Sequence, residues 1–275
     1  MAMSEQSELW NGPSGRAWVE LQELLDGLFA PIERLLADAV AAAAPATLLD
    51  VGCGTGATTL AYARRLGDGA ACTGTDLSRP MLALARERAA REGLAVEFVE
   101  ADAQRHAFPP RRYELFVSRF GVMFFDDPVA AFANLHAAAA DGAGLRMVVW
   151  RGPQDNPFMT AAERAVAPLL PQTELRRAGG PGQFAFADRE HVTQILSSGG
   201  WREVELTPTD VVCTLPETDL VRYMTQLGPV GHALRQLDPA QHPQIIATAR
   251  AAFEPFVDGD EVRFTAGCWT LTATA

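Results

Sequence analysis

Apolar residues near the N-terminus recur at helical spacing. From Trp18 to Phe29 they fall every three or four positions, and the same stripe continues from Ile32 to Val40. Such a stripe predicts a long amphipathic helical region whose apolar side packs against the rest of the chain. The preceding stretch WNGPSGRAW, residues 10–18, mixes glycine, proline and tryptophan, so we predict a turn-rich aromatic segment there.

From residue 47 the pattern changes to short apolar runs separated by helix-period segments. Ser78 and Asp127 stand where helix N-caps are expected, and Gly93 stands where a helix should end. Strands that alternate with helices imply right-handed βαβ units on a parallel sheet, and runs that are apolar on both faces require helices on both sides. Strands are predicted at 48–51, 70–75, 96–99, 113–118 and 145–150, and helices at 58–66, 80–92 and 128–140.

The regular alternation stops beyond residue 151. A stretch rich in proline and glycine follows, and Pro208 is expected to interrupt a later strand. A helix is predicted at 188–198, a strand at 201–206 with an extension at 211–214, a group of short helices over 218–256, and a final strand at 262–275.

Composition and charge exclude several classes of function. The net charge of −11 argues against binding nucleic acid or an anionic membrane through bulk electrostatics. All 23 basic residues are arginine, and the absence of lysine excludes Schiff-base chemistry, pyridoxal phosphate and the nucleotide P-loop. The four cysteines have no paired or zinc-type spacing, and neither a signal peptide nor a membrane span is recognised. We therefore predict a cytoplasmic protein with no metal site.

Three glycines follow the first predicted strand and lead into a helix. Gly52, Gly54 and Ala57 satisfy the relaxed G-x-G-x-x-A fingerprint of dinucleotide enzymes, and the acidic residue Asp76 lies roughly 20 residues further on, as that fingerprint requires. An NAD(P)-binding enzyme is therefore one interpretation of this loop.

Three further features favour a ligand with a cationic amino-acid end. Asp50 lies within the strand, where a buried carboxylate is costly unless it finds partners, and a pyrophosphate is a poor neighbour for it. Gly54 and Gly56 bracket Thr55, which gives the pattern G-x-G-x-G. Asp102 follows the third strand, where its carboxylate could accept a hydrogen bond from an adenine amino group.

Four segments in this order resemble the successive motifs of class I S-adenosylmethionine (SAM)-dependent methyltransferases. They are LLDVGCGTG (48–56), GTDLS (74–78), VEADAQ (99–104) and SRFGVMFF (118–125), and the resemblance covers about residues 10–150. The likeness is greatest to the small-molecule branch that includes the ubiquinone/menaquinone-biosynthesis type. It implies an α/β fold with a Rossmann-like, seven-stranded, mostly parallel sheet, helices on both faces, an antiparallel last strand, N-terminal helices and a helical lid.

The resemblance also implies where SAM binds. The glycines let the ligand approach the backbone closely, and the Cys53 thiol is interpreted as a small loop filler because nothing marks it as activated. The implied contacts are Asp50, Gly52, Cys53, Gly54 and Gly56 for the methionine part; Asp76 for the ribose; Leu77, Met81, Asp102 and Ala103 for the adenine; Ser118 and Arg119 for the sulfonium region; and Trp18 from the N-terminal cap.

The implied function is transfer of a methyl group to a largely apolar small molecule of secondary or quinone-like metabolism, with S-adenosylhomocysteine as the product. No catalytic signature is visible, and His232, Arg119 and Tyr223 are the candidates. Arg119 requires an anionic partner, which could be a ligand or the nearby Asp126 or Asp127. Alternatives are a SAM-binding protein that catalyses another reaction such as cyclisation, a SAM- or nucleotide-binding regulatory module, and the NAD(P)-binding enzyme.

The expected partner is a small-molecule substrate rather than a nucleic acid or a membrane, and a homodimer is left open. We divide the chain into segments by these patterns. They are an N-terminal helical cap (1–45), a SAM-binding core (46–151), a lid insertion (152–187), a core helix and strand (188–214), a helical substrate lid (215–258) and a final core strand (259–275).

Overall fold

A single twisted sheet with helices on both faces forms the core, as the computed structural model shows for residues 5–170 and 180–275. The predicted α/β class is therefore confirmed. The strands are β1 (Thr47–Val51), β2 (Ala71–Asp76), β3 (Val96–Glu100), β4 (Tyr113–Arg119), β5 (Ala139–Trp150), β6 (Arg202–Pro216), β7 (Val257–Asp258) and β8 (Glu261–Thr274). The α-helices are α1 (Glu5–Asn11), α2 (Pro13–Glu20), α3 (Gln22–Ala43), α4 (Ala57–Leu66), α5 (Arg79–Glu92), α6 (Pro128–Ala137), α7 (Pro157–Val166), α8 (Arg189–Ser198), α9 (Leu220–Gln226), α10 (Gly228–Leu234) and α11 (His242–Ala251).

The strand order is β3-β2-β1-β4-β5-β8-β6. Strands β1 to β5 are parallel, and β8 runs antiparallel between β5 and β6. The direction in which the chain adds strands reverses between β1 and β4, and open α/β sheets bind ligands at the carboxyl ends of the strands at such a point. The remaining strand, β7, lies outside this order. It has two residues and pairs with β8 as an antiparallel hairpin.

Two strands are longer than the pattern predicts. The predicted break at Pro208 is wrong, because β6 runs through it with Pro208 paired to Trp269. Since β6 is the edge strand of the sheet, a proline that cannot donate a hydrogen bond is tolerated there. Helix α6 ends at Ala137, three residues before the predicted helix end. Strand β5 therefore begins at Ala139, earlier than the predicted strand at 145–150.

The N-terminal stretch 10–18 is helical, which corrects the predicted turn-rich segment. Helices α1 and α2 meet at Gly12. Gly15 lies where α2 crosses the backbone of Trp10, and a Cβ atom added to Gly15 would lie 1.9 Å from the Trp10 carbonyl oxygen. This glycine therefore permits close helix packing rather than a turn. The long predicted helix is confirmed as α3, which continues through Pro31.

The two N-terminal helices dock on the loop between β2 and α5. The Asn11 side-chain amide donates to the Leu77 carbonyl at 2.9 Å, and its oxygen accepts the Arg79 N–H at 3.0 Å. Ser78 was predicted to cap α5 with its own side chain, but its hydroxyl donates instead to the Trp10 carbonyl at 2.7 Å. Asn11 thus caps α5 from a distant part of the chain and holds α1 and α2 beside the carboxyl ends of the strands.

The predicted lid segments supply helices α7 and α9 to α11, which pack against one another, and α7 contacts β8 through Phe158. Phe158 stacks on Phe264 with ring centroids 3.8 Å apart, and its ring is buried. The segment boundaries proposed above remain predictions, and residues 171–179 of the predicted insertion lie outside the described residues.

Candidate functional site

The loop after β1 is fixed to the neighbouring strand by its own backbone. The N–H groups of Gly52 and Cys53 both donate to the Thr75 carbonyl, at 2.8 and 3.1 Å, and the Gly56 N–H donates to the Cys53 carbonyl at 3.0 Å. The Cys53 thiol fills a notch beside β2, because a Cβ atom added to Gly74 would lie 2.9 Å from its sulfur. Its side chain therefore packs into the protein, and only the Cys53 backbone is available to a ligand.

The three glycines of the loop have different surroundings. All have positive φ angles, of +72° at Gly52, +55° at Gly54 and +85° at Gly56. A Cβ atom on Gly52 would lie 2.6 Å from the Cα of Gly121, and one on Gly56 would lie 2.9 Å from a side chain of α5. A Cβ atom on Gly54 would have only the Met81 sulfur within 4 Å, at 3.7 Å. Gly54 is therefore the position where the loop leaves room for a ligand.

Asp50 is completely buried beneath this loop. One carboxylate oxygen accepts hydrogen bonds from the Thr58 and Thr59 hydroxyls, both at 2.7 Å, while the other oxygen, Oδ1, has no partner among the described residues. Burial raises the pKa of the Asp50 carboxyl to about 6, although the two threonine hydrogen bonds and the positive charge of Arg119 oppose the rise. A buried acceptor without a partner is costly unless a ligand or water supplies one.

Replacing Asp50 with asparagine is expected to stabilise the ligand-free protein at pH 7.5 and to change its stability little near pH 4. Because the folded-state pKa is raised to about 6 from 3.8, ionised Asp50 costs the folded state up to about 3 kcal/mol above that pH. The cost disappears as the pH falls through 6 toward 4. Thermal unfolding from pH 4 to 8 measures this, with the exposed Asp38→Asn as the control. A difference between Asp50→Asn and wild type that does not vary with pH would contradict the assignment.

Asp76, at the end of β2, connects the glycine loop to α5. Its two carboxylate oxygens accept the Gly54 N–H and the Ser78 N–H, each at 2.8 Å. Burial raises the pKa of the carboxyl, and the backbone hydrogen bonds oppose this rise. A carboxylate held in this way at the end of β2 has the chemistry to accept hydrogen bonds from two ribose hydroxyls.

The predicted adenine contacts lie along the ends of β2 and β3. Met81 is buried on the first turn of α5 and reaches the glycine loop, and Leu77 is half-buried beside Asp76. Ala103 is buried in the loop after β3. The Asp102 carboxylate accepts both the backbone and side-chain N–H groups of Gln104, at 3.0 and 3.1 Å. Its other oxygen lies toward solvent-exposed Arg105, 4.0 Å away.

The end of β4 contains a strained turn that the sequence pattern did not indicate. Phe120 has a φ angle of +65°, which is uncommon for a residue with a bulky side chain, and its ring stacks on Trp150 at 4.2 Å. The Ser118 hydroxyl donates to the Val51 carbonyl at 2.7 Å and accepts the Gly121 N–H at 3.2 Å. The Ser118 side chain therefore joins β4 to β1, and its place beside the sulfonium stays a prediction. Strain of this kind concentrates at functional sites.

Arg119 is the charged residue at this turn. Its guanidinium lies over the Phe29 ring, 5.6 Å from the centroid, and its buried Nη1 has no hydrogen-bond partner in the described residues. No ion pair with Asp126 or Asp127 forms there, and Asp127 instead caps α6 by accepting the Ala130 N–H.

The other candidate residues lie farther from the loop or pack internally. His232 is exposed on α10, with its Nε2 atom 3.0 Å from the Gln236 amide nitrogen. Tyr223 packs beside Phe158 with ring centroids 5.9 Å apart, and burial raises the pKa of its phenol far above the usual value. These contacts give no further support to the prediction that His232 or Tyr223 accepts a proton from the substrate. Trp18 is half-buried in α2 and contacts Trp10 edge-on at 6.4 Å.

Several residues that build the site were not named individually from the sequence, although Trp10 and Asn11 belong to the stretch WNGPSGRAW that was assigned to the cap. Asn11 and Gly121 make contacts described above, and Trp10 meets Phe124 edge-on at 5.1 Å. Arg88 joins the loop to α3, because its guanidinium donates to the Thr55 carbonyl and pairs with Asp26 at 2.6 Å. The motif SRFGVMFF contains Gly121 and Phe124, so a signal for these two was present.

Similarity to known proteins agrees with this geometry. Residues 48–142 match the family model described as a methyltransferase domain. Demethylmenaquinone methyltransferase from Thermus thermophilus is 36% identical over 115 residues, which are 42% of this chain and 52% of that protein. Nocamycin O-methyltransferase from Saccharothrix syringae is 27% identical over 259 residues, covering 87% of this chain and 91% of that protein. The crystal structure of the [4+2]-cyclase SpnF superposes with a TM-score of 0.54 at 20% identity and 94% coverage of both chains.

These matches define the class of the domain. The chain spans about half the length of the first curated relatives that it matches. Residues 48–142 match a methyltransferase domain, which confirms the resemblance carried by the four motifs. The sheet has the Rossmann-like arrangement that SpnF also has.

The residues present fit SAM. Gly54 leaves space beside the loop, Asp50 Oδ1 lacks a donor that an ammonium group could supply, and Asp76 presents a carboxylate to the ribose position. Across residues 5–170 and 180–275, no cluster of three metal-ligating side chains occurs. None of the described helices has the length and apolar character needed to cross a membrane.

Proposed function

We propose that this protein transfers the methyl group of SAM to a largely apolar small molecule by in-line displacement. The observation that carries the proposal is a pair of carboxylates at the reversal of strand order. Asp50 is buried beneath the glycine loop with an unpartnered oxygen among the described residues, and half-buried Asp76 accepts the N–H of the open Gly54. When bound, SAM supplies an activated methyl group on a cationic sulfur, which is a good leaving group.

The contribution of the chain is positioning. Holding the acceptor atom about 3 Å from the methyl carbon and in line with the breaking bond contributes on the order of 7–11 kcal/mol. A base is needed only where the acceptor must lose a proton. The absence of a catalytic signature in the sequence is therefore compatible with this reaction, and the role of Tyr223 or His232 as a base stays a prediction.

The acceptor is proposed to be largely apolar because the structure places aromatic rings beside the end of β4. Phe29, Phe120 and Trp150 form a cluster there, with centroid separations of 4.2–6.2 Å. Apolar pockets with a few polar groups are typical of small-molecule sites. The similarity to nocamycin O-methyltransferase, which extends over most of both chains, supports a small-molecule acceptor.

The test is a reaction with SAM and a panel of apolar phenols, enols and hydroxyquinones. We expect S-adenosylhomocysteine to form together with a product heavier by one methylene, both measured by mass spectrometry. Rearrangement of a compound at constant mass, without S-adenosylhomocysteine, would support the cyclisation alternative. Calorimetric binding of NADH without binding of SAM would overturn the SAM assignment and support the NAD(P) alternative.

A further inference from the structure

The side chain of Arg119 lies on the same sheet face as Asp50, level with the glycine loop. Asp50 pairs with Val117 in the parallel register of β1 and β4, and Arg119 is the second residue after Val117. Because side chains alternate along a strand, Val117 and Arg119 point to one face and Ser118 points to the other. Extending the register by two residues aligns Arg119 with Gly52, the first residue of the loop.

The guanidinium has acidic neighbours but no bonded anion. Burial raises the pKa of the Glu33 carboxyl, and the charge of Arg119 opposes this rise, as it does for Asp50. Neither carboxylate forms a salt bridge with Arg119 in the described part of the chain, and the Nη1 atom is buried without an acceptor. A buried guanidinium donor without an acceptor is a costly arrangement that an anionic ligand would relieve.

Aromatic rings lie on one side of this half-buried group. Phe29 lies beneath the guanidinium, and its ring contacts those of Phe120 at 5.5 Å and Trp150 at 6.2 Å. An interaction between opposite charges is stronger in such surroundings than in water. The positive charge is thus stabilised by the Phe29 ring, while its hydrogen-bonding capacity at Nη1 remains unused.

Asp50 and Arg119 together match the two charged ends of an α-amino acid. Asp50 offers an unused acceptor, Oδ1, and Arg119 offers an unused donor, Nη1, on one face of the sheet beside the glycine loop. We propose that Arg119 binds the carboxylate of the methionine part of SAM and so orients the sulfonium at the end of β4. This inference rests on the proposed function, and it assigns Arg119 to the cofactor rather than to an acidic group of the methyl acceptor.

The test compares two ligands that differ in the amino-acid part. S-adenosylhomocysteine carries the α-amino carboxylate, whereas 5′-methylthioadenosine has the same nucleoside and a thioether without it. In Arg119→Met, affinity for S-adenosylhomocysteine should fall by about 10- to 100-fold, the usual effect of losing a charged hydrogen-bond pair. Affinity for methylthioadenosine should stay within a factor of about two, because that ligand has no carboxylate to lose. Calorimetry measures both.

Arg146→Met is the matched control, since Arg146 is also half-buried, on the neighbouring strand β5, and its Nη1 donates to the Leu145 carbonyl. It should leave both affinities unchanged. Equal weakening of both ligands by Arg119→Met would show that Arg119 only shapes the pocket. No weakening of either ligand would exclude Arg119 from the carboxylate site, and each of these results overturns the proposal. Failure of the wild-type protein to bind either ligand would refute the proposed function itself.

Discussion

Replacing Asp76 with alanine is expected to weaken SAM binding by about 100-fold or more while the protein remains folded. The substitution removes the carboxylate proposed to bind both ribose hydroxyls, and it also releases the N–H groups of Gly54 and Ser78. Asp76→Asn should have an intermediate effect, because an amide has one acceptor oxygen and its NH2 group opposes the second backbone N–H.

Calorimetric titration with SAM measures the effect, with thermal unfolding as the check on folding. Glu100→Ala is the matched control, because Glu100 is the register partner of Asp76 on β3 and its carboxylate pairs with exposed Arg79 at 2.6 Å. Its removal should leave SAM affinity unchanged. An affinity of Asp76→Ala within about threefold of wild type would exclude Asp76 from the ribose site.

The second large effect is expected from alanine at Gly52. The new Cβ would lie 2.6 Å from the Cα of Gly121, in a residue whose φ is +72°. Left-handed backbone and overpacking together should lower the free energy of unfolding by about 3 kcal/mol or more. Gly93→Ala is the control for backbone strain alone, since Gly93 ends α5 in the left-handed conformation, with φ +66° and ψ +25°, and a Cβ atom there would have no described atom within 4 Å. This substitution should cost about 1–2 kcal/mol.

Gly54→Ala should separate stability from binding. Its φ of +55° and open surroundings predict a loss of stability close to that of Gly93→Ala. SAM affinity should nevertheless fall much further in Gly54→Ala than in Gly93→Ala, because the added methyl group occupies the space proposed for the ligand. Denaturant unfolding and calorimetry on the three variants measure both quantities. Equal stabilities of Gly52→Ala and Gly54→Ala would contradict the different roles assigned to these glycines.

The N-terminal helices hold the segments that contain Gly52, Gly54 and Asp76 in place. Asn11 and Ser78 join α1 and α2 to the residues that follow Asp76, and Arg88 joins the glycine loop to α3. The loop that is proposed to bind SAM is therefore held from both sides by helices that precede it in the chain. Their geometry makes the N-terminal segment part of the proposed site rather than a separate cap.

The sequence by itself determined the parts of the protein that depend on local pattern. Short apolar runs between helical segments predicted the parallel strands, and the acids Asp50, Asp76 and Asp102 could be assigned to the ends of three of them. These predictions succeed because strand period, glycine loops and the order of βαβ units are properties of neighbouring residues. The glycine pattern alone also matched a dinucleotide enzyme, and the chemistry of Asp50 was needed to favour SAM.

Only the tertiary structure decided how individual side chains are used. Gly52 is tightly packed because Gly121, far away in the chain, crosses it, while Gly54 remains open. The Ser118 hydroxyl bonds to Val51 although its position suggested a ligand contact, and Arg119 beside it keeps an unpaired donor. Such outcomes depend on contacts between distant segments, and a local sequence pattern contains no information about which atoms those contacts leave free.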